Sequence, residues 1–504
     1  MAEKKVNSEA KWFYPAIILL SLFFLFKLVN QSQIIWQFPL DQNNDISVHL
    51  GQLHFLKQYG FHQNVPNWYN GYSLFLNYPI LWYFLTLPLY IVLKNILLAT
   101  FISHILLYVL GLLFFILIGK ILKISFYKIF FFYLAFYANP VAVGNFIKLG
   151  RMTELTGMTL FIAFFALLLY LKDKPIKPRW IAALAVIFAG ILLAHPSWII
   201  LSAIIIPPFF LLKYKKDKIK FVLAMSASLL LASFWLFPFI FTANASSLES
   251  FYGTARLFDF KNFLYDNIVS FVLPISMWLT AFFYFRNVKI TEDWRFKKEL
   301  IFYSGIIIAS VLYISRLIFY IPILNRPYPD SYNMFFIFFT FLFLIRTPFN
   351  AYGKLAKLLK LSLLLLPIIF ILASVITVPN FRGNNPVDNE IKSLLSNLEI
   401  NDKFLIENVP YPTSSLAFYS YAAIYYNLST PSGWVIQGAD SKYFDLLYAV
   451  REDLRTKNCQ NLLNNLHSLN ATKLIVSNAL QMDMPNCSLK ILAQERDISL
   501  FSIP

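Results

Sequence analysis

Residues 198–243 read WIILSAIIIPPFFLL (198–212), then KYKKDKIK (213–220), then FVLAMSASLLLASFWLFPFIFTA (221–243). Two apolar runs flank a knot of five lysines and one aspartate. A helix rises about 1.5 Å per residue, and about 20 apolar residues, sometimes fewer, cross the hydrocarbon layer of a bilayer. Cations between such runs cannot remain in hydrocarbon, and they mark a loop on the cytoplasmic side. Span, basic knot, span is the grammar of a polytopic α-helical membrane protein.

The chain follows the same grammar as far as about residue 379. Of 504 residues, 58% are hydrophobic and 14% charged, with a mean hydropathy of +0.60; soluble domains carry about 25% charged residues. The net charge of +17 is spread over knots between spans rather than gathered on one face or tail, which speaks for anionic headgroups and against nucleic acid. Spans are expected near 13–30, 97–119, 126–139, 155–171, 180–194, 198–212, 221–243, 267–285, 300–320, 334–346 and 361–378, about eleven in all. Lys4, Lys5 and Lys11 precede the first, which has no small-residue cleavage site after it and is expected to stay as a signal anchor.

The positive-inside rule threads these spans with the N-terminus cytoplasmic. Lys120, Lys123 and Lys128; Lys172, Lys174, Lys177 and Arg179; the 213–220 knot; Arg286, Lys289, Arg295, Lys297 and Lys298; and Lys354, Lys357 and Lys360 then all lie inside. An odd number of spans puts the C-terminus outside. Counting the apolar stretch Pro79–Leu93 as a span would invert every later loop. It is therefore expected to lie in the interface, with Trp82, Tyr83 and Tyr90 at headgroup depth.

The expected domains are a transmembrane domain over 1–379, with a first outer loop at 31–96, and an extracytoplasmic α/β domain over 380–504. The second has strand-like runs at Phe404–Ile406 and Lys473–Ser477 and helical stretches at Asp440–Leu454 and Cys459–Leu469. Cys459 and Cys487, the two cysteines of the chain, favour a disulfide in an oxidising compartment over two separate thiols. Sequons headed by Asn427, Asn470 and Asn486 in the tail, and by Asn244 in an outer loop, agree weakly with that side.

Loops beyond about 15 residues are usually functional, and the first outer loop holds Asp41, Asp45, His49, His54 and His62. Asp45 and His49 share a helix face at i, i+4, where a carboxylate beside an imidazole suits general-base work. The bland alternative is a surface pair that caps a helix, and for this short pattern alone it is the commoner outcome. No H-x-x-x-H or H-E-x-x-H spacing supports a structural zinc site.

In the second outer loop, 139–154, Glu154 heads an apolar span and Arg151 stands one turn away. Dipole complementarity at a helix N-terminus is the common explanation of Glu154. The functional one is a second carboxylate facing the same outer cavity as Asp45, with Arg151 placed to contact a phosphate or to pair with Glu154. Arg316 lies within the apolar run Ile306–Ile321, where an ionisable group is a functional candidate unless it snorkels to the surface. His195 falls in a short outer turn, and Arg326 and Asp330 in the next outer loop are placed to pair.

Asp45 and His49, followed by Pro66-Asn67-Trp68, Asn70-Gly71-Tyr72 and Tyr78-Pro79-Ile80-Leu81-Trp82-Tyr83, resemble the first loop of GT-C fold glycosyltransferases. The likeness is nearest to the prokaryotic membrane family labelled "6-pyruvoyl-tetrahydropterin synthase related". Gly150-Arg151-Met152-Thr153-Glu154 resembles that family's R-G-x-x-x-E element, with the glycine before the arginine as a departure. The resemblance implies transfer of a sugar, with inversion, from a polyprenyl-phosphate donor to a glycan, lipid or protein acceptor on the outer face.

It further implies a loop-one aspartate as base, Asp45 or in its place Asp41, supported by His49 and Glu154. Arg151, Arg316, His195, Arg326, Trp68 and Tyr72 are the expected substrate contacts. Members of the fold differ in their use of Mg or Mn, which leaves a divalent cation open. A lipid-linked sugar transporter or flippase, and a non-catalytic surface assembly protein, are the rival readings. The sequence shows neither the repeated halves nor the broken helices common in transporters.

Overall fold

The computed structural model describes residues 2–40, 45–76, 78–242, 260–382, 385–409, 413–434, 441–477 and 487–504, with backbone alone for 2–9, 242, 260–270 and 441–442. In chain order the helices are α1 (Ala2–Gln31), α2 (Ile46–Tyr59), α3 (Leu81–Leu93), α4 (Ile96–Leu122), α5 (Phe126–Tyr137), α6 (Pro140–Ala142), α7 (Met152–Leu171), α8 (Pro178–Ala194) and α9 (Pro196–Leu211). There follow α10 (Lys215–Thr242), α11 (Phe260–Thr291), α12 (Asp293–Ile314), α13 (Pro329–Arg346), α14 (Ala356–Thr377), α15 (Pro386–Leu395), α16 (Ser415–Tyr426), α17 (Ser441–Thr456) and α18 (Cys459–Ser468). The strands are β1 (Asn64–Val65), β2 (Tyr72–Ser73), β3 (Phe404–Glu407), β4 (Lys473–Ser477), β5 (Lys490–Glu495) and β6 (Ile498–Ser502).

The chain forms two compact units. The first comprises residues 1–29 and 104–379, the second residues 30–103 and 380–504. All eleven expected spans coincide with helices, 300–320 as far as Ile314. Among the described residues six helices are long and apolar enough to cross a membrane, or seven if one bent pair counts as a span. The shortfall has physical causes: α8 and α9 have 17 and 16 residues, and α12 and α13 open on polar turns.

In unit 1, α7 is the central helix. Its apolar window is 89% buried, against 17–33% for the windows of α1, α4, α10, α11 and α14, so it is apolar on every side because every side meets protein. The bent pair is α5 with residues 140–149, turned by 51°. Pro140 offers no N–H to continue α5, and Asn139 caps the new helix by accepting from the Ala142 N–H at 3.0 Å. Residues 143–149 then form a π-helical turn ended by left-handed Gly150 at φ 76°. Most of the second outer loop is thus a second helical limb, a broken helix that the sequence pattern conceals.

In unit 2, first-loop residues and C-terminal residues share one core. Helix α2 packs on α16. A Cβ at Gly51 would lie 2.9 Å from Ser420 Oγ and 2.8 Å from the Trp68 ring, so glycine sets that approach. The four-stranded sheet runs β3-β4-β6-β5. Strands β3 and β4 are parallel, with Phe404 opposite Lys473, and the other pairs are antiparallel. Cys459 and Cys487 are joined, with Cα atoms 4.9 Å apart.

Helix α3 has 13 residues, about 20 Å, too short for the hydrocarbon layer. Its aromatic side chains correct one expectation. Trp82, Tyr83 and Tyr90 are buried within unit 2, and the exposed face is Leu85, Ile91 and Val92.

Candidate functional site

The expected site residues fall into two clusters, one in each unit. In unit 2, Asp45 stands half-buried at the head of α2, and its carbonyl accepts from the His49 N–H at 3.0 Å. A helix N-terminus favours an ionised carboxylate. Buried His49 is bonded through Nδ1 to Tyr83 Oη at 2.7 Å. Tyr83 donates in turn to Gln52 Oε1, and the ring of Trp82 lies 5.3 Å from the imidazole. Asp45 is near enough to Tyr83 for its charge to act on the phenol. A carboxylate at a helix head thus adjoins a buried His49–Tyr83–Gln52 chain. The Tyr78-Pro79-Ile80-Leu81-Trp82-Tyr83 motif supplies the tyrosine, while Gln52 was missed because polar residues on loop helices carry no pattern.

Further along α2, burial pushes the His54 imidazole below its ordinary value, opposed by Gln58 and reinforced by Lys57, which leaves it neutral near pH 7. Among the described residues no three His, Cys, Asp or Glu side chains stand together as a metal site. Asp41 lies outside the described residues, as do Asn244 and Asn486.

Trp68 and Tyr72 are core residues. The Trp68 indole donates to the Tyr419 carbonyl at 3.4 Å, stacks on Tyr72 at 6.0 Å and meets Phe55 edge-on at 4.9 Å. With 0% and 4% exposure they have no free ring face for a substrate. Asn67 and Asn70 bind the C-terminal residues of the same unit, Asn67 Nδ2 donating to the Leu428 carbonyl at 3.0 Å and Asn70 Nδ2 to that of Leu469 at 2.9 Å. The motif's regularity reflects packing.

In unit 1, Glu154 is wholly buried in the first turn of α7 and accepts from Ser331 Oγ at 2.5 Å. Arg151, the residue before that helix, places Nη1 3.5 Å from Glu154 and 3.6 Å from Asp330. The expected Arg326–Asp330 pair is therefore replaced: Asp330 turns to Arg151, and no ion pair joins it to Arg326 among the described residues. The Arg151 guanidinium also covers the Tyr328 ring at 5.0 Å.

His195 caps α9, its Nδ1 accepting from the Ser197 N–H at 3.3 Å. Gly157 makes room for it, since a Cβ there would approach His195 Cβ to 3.2 Å. Burial pushes the His195 imidazole down, with Glu154 opposing and Arg151 reinforcing, so all three belong to one electrostatic cluster. Asp330 and Ser331 are the members that sequence reasoning did not assign to it; they are the polar first turn of α13, legible as a helix start but not as a neighbour of Glu154.

Arg316 does not sit inside an apolar helix. Helix α12 ends at Ile314, and Arg316 adopts a left-handed conformation (φ 63°) before a 3₁₀ turn, its guanidinium 5.5 Å from the Phe319 ring. Arg326 is half-buried in the following segment.

Neither the family models nor the curated proteins compared contain a match to this sequence. Solved structures do match. Arabinofuranosyltransferase AftD from Mycobacteria aligns with a TM-score of 0.63 at 13% identity, over 96% of this chain and 40% of AftD, so the chain spans about two fifths of that protein's length. The archaeal oligosaccharyltransferase AglB from Archaeoglobus fulgidus, in complex with an inhibitory peptide and a dolichol-phosphate, aligns at 0.54 with 10% identity, over 96% of this chain and 74% of AglB. ArnT from Cupriavidus metallidurans, bound to undecaprenyl phosphate, aligns at 0.55 with 13% identity, over 96% of this chain and 98% of ArnT. Such identities speak to architecture: this multi-pass chain has the GT-C fold of these membrane glycosyltransferases.

Proposed function

We propose that the chain is a GT-C glycosyltransferase that transfers a sugar from a polyprenyl-phosphate donor to an acceptor on the extracytoplasmic face, with inversion. The observation that carries the reading is the fold's extent: nearly the whole chain aligns with a transferase bound to undecaprenyl phosphate and with another in complex with a dolichol-phosphate. The threading that accompanies it has about eleven spans, a cytoplasmic N-terminus and an outer C-terminus. The basic loops support that threading, and the Cys459–Cys487 bridge supports an oxidising side for the tail.

In this mechanism Asp45 accepts the proton of the acceptor hydroxyl. The hydroxyl oxygen attacks the anomeric carbon from the face opposite the phosphate. The bond from that carbon to the phosphate oxygen breaks, and its electron pair leaves with the polyprenyl phosphate. The phosphate is a good leaving group and needs little acid help, so one base and one cation suffice. His49, fixed by Tyr83, positions the head of α2. Arg151 is the cation for the phosphate, with Arg316 as the second choice. An arriving phosphate would compete with Asp330, which is 43% exposed, more readily than with Glu154 at 0%.

The test is complementation of a deletion strain, with analysis of surface glycans and glycolipids to name the missing product. Asp45→Asn is expected to lower product formation at least about 100-fold at unchanged protein level, the usual scale for a lost general base. Full restoration by D45N would refute the assignment. Among the described residues, the broken helix at Pro140 is a feature shared with transporters. A transporter would leave transfer intact in detergent extracts of the deletion strain supplied with the lipid-linked sugar, whereas the proposed enzyme would not.

A further inference from the structure

His195 is the one residue between α8 and α9, and its backbone is extended. Its Nδ1 accepts from the Ser197 N–H at 3.3 Å. A ring nitrogen that accepts carries no proton, so the uncharged imidazole holds its proton on Nε2. Burial favours the uncharged form, opposed by Glu154 and reinforced by Arg151. The cap therefore selects a tautomer, and it leaves Nε2–H as a donor for which the described residues supply no acceptor.

Capping alone does not call for this ring. Asn, Asp, Ser and Thr are the usual caps, and they bond the same backbone N–H groups from a short side chain. The place of the ring is also built. Gly157 lies one turn beyond Glu154 in α7, and a Cβ there would stand 3.2 Å from His195 Cβ and 3.1 Å from Trp198 Cδ1. Its bare Cα lets the α8–α9 turn come close to the first turn of α7, where Glu154 and Arg151 act on the imidazole. Glu154 is wholly buried, whereas His195 is half-buried and the Arg151 side chain is 20% exposed. A ligand therefore reaches the imidazole and the guanidinium more readily than the carboxylate between them in charge.

We infer that His195 is a contact of the lipid-linked phosphate, its Nε2–H donating to an oxygen of the phosphate that pairs with Arg151. This contact rests on the proposed transfer reaction and supplies it with a second donor. Arg151 already faces Glu154 and Asp330 at 3.5 and 3.6 Å, so a phosphate arriving there meets two carboxylates as well as the cation. An N–H on an uncharged ring adds attraction without a second cation for those carboxylates to take up. As the bond to the anomeric carbon breaks, its electron pair adds negative charge to the phosphate. A donor already in place stabilises that charge with no reorganisation.

The experiment sets Asn against Gln at this position, because each keeps one half of the imidazole. His195→Asn keeps an acceptor near the place of Nδ1, and with it the cap, but loses the distal N–H. His195→Gln keeps an N–H near the place of Nε2 and gives up the cap. Thermal unfolding of the purified full chain in neutral detergent is followed against undecaprenyl phosphate, dolichyl phosphate and, as the control without phosphate, undecaprenol. One or both phosphates are expected to raise the midpoint of the wild type, and undecaprenol to have little effect. H195N should melt as the wild type without probe and need at least about tenfold more polyprenyl phosphate, a difference of about 1.4 kcal/mol. H195Q should melt earlier without probe and respond at wild-type concentrations. A residue that only caps gives the reverse order, with H195N responding as wild type; that result overturns the contact and leaves the transfer reading standing. A wild type that responds to neither phosphate overturns the transfer reading and the contact with it. Should H195N or H195Q be too unstable to titrate, His195→Ser, a second cap without the distal N–H, decides: a weakened response is expected, and a wild-type response refutes the contact.

Discussion

Glu407 shows how a single residue sets a testable pH dependence. It closes β3, with its side chain 4% exposed, and accepts from Arg451 Nε at 2.8 Å. Burial raises its carboxyl above the ordinary value, and Arg451 opposes the rise. Arg451→Ala removes the opposing positive charge, so the folded-state pKa climbs further above the unfolded one. A carboxyl raised in this way favours the fold below its unfolded pKa and loses that contribution as pH rises through the folded value. The variant should therefore cost about 2 kcal/mol near pH 7, and the deficit should shrink toward zero below about pH 4, where Glu407 is protonated in both states. Unfolding of wild type and R451A across that range measures it, and a deficit constant with pH would contradict the assignment. None of this was legible in the sequence, where Glu407 and Arg451 are separated by 44 positions. Glu154 was legible because a carboxylate heading an apolar helix is conspicuous. Asp330, its partner through Arg151, was not, because nothing in a sequence states which helix ends meet.

Apolar periodicity located the elements well and sidedness within them poorly. The eleven runs became helices because backbone groups in hydrocarbon must bond within their own segment. Helix α3 was equally visible, but which of its faces is inward depends on α2, and Trp82 and Tyr83 turned toward His49 rather than toward headgroups. The bend at Asn139-Pro140 was read as a loop because a seven-residue π-turn has no periodic signature of its own. Glycine carries a comparable hidden constraint where α2 meets α16. Gly51→Val would drive a branched side chain into Trp68 and Ser420. Overpacking of this kind costs about 1–3 kcal/mol. The expected result is a lower unfolding midpoint for unit 2, followed by the disulfide-bonded C-terminal segment's protease resistance, with Gly51→Ala intermediate. Equal midpoints for wild type and G51V would show that α2 and α16 separate without cost.

The two-unit division joins residues far apart in the chain, and that long-range closure was beyond a left-to-right reading. The sequence marked the change at Pro379, where apolar runs give way to polar ones. It did not show that residues 30–103 would share a core with 380–504. The contacts that do so are specific: Trp68 on Tyr419, Asn70 on the Leu469 carbonyl, and Lys403 Nζ on Asn70 Oδ1 at 3.0 Å. Unit 2 should consequently lose order from both segments at once when its shared core is damaged. Trp68→Ala removes a wholly buried indole, and such truncations cost about 3–5 kcal/mol. Loss of the Cys459–Cys487 bridge, which spans 28 positions, should cost about 3.6 kcal/mol by the chain-entropy account. Limited trypsin digestion of the protein in membranes distinguishes the two segments. Lys57 on α2 and Lys403 beside β3 should become cleavable together in W68A, while the α7–α8 and α9–α10 loops of unit 1 keep their wild-type pattern. Cleavage at Lys403 with α2 still protected would mean that the first loop holds its shape without the C-terminal residues, and the shared core would then be an alignment of two separable parts.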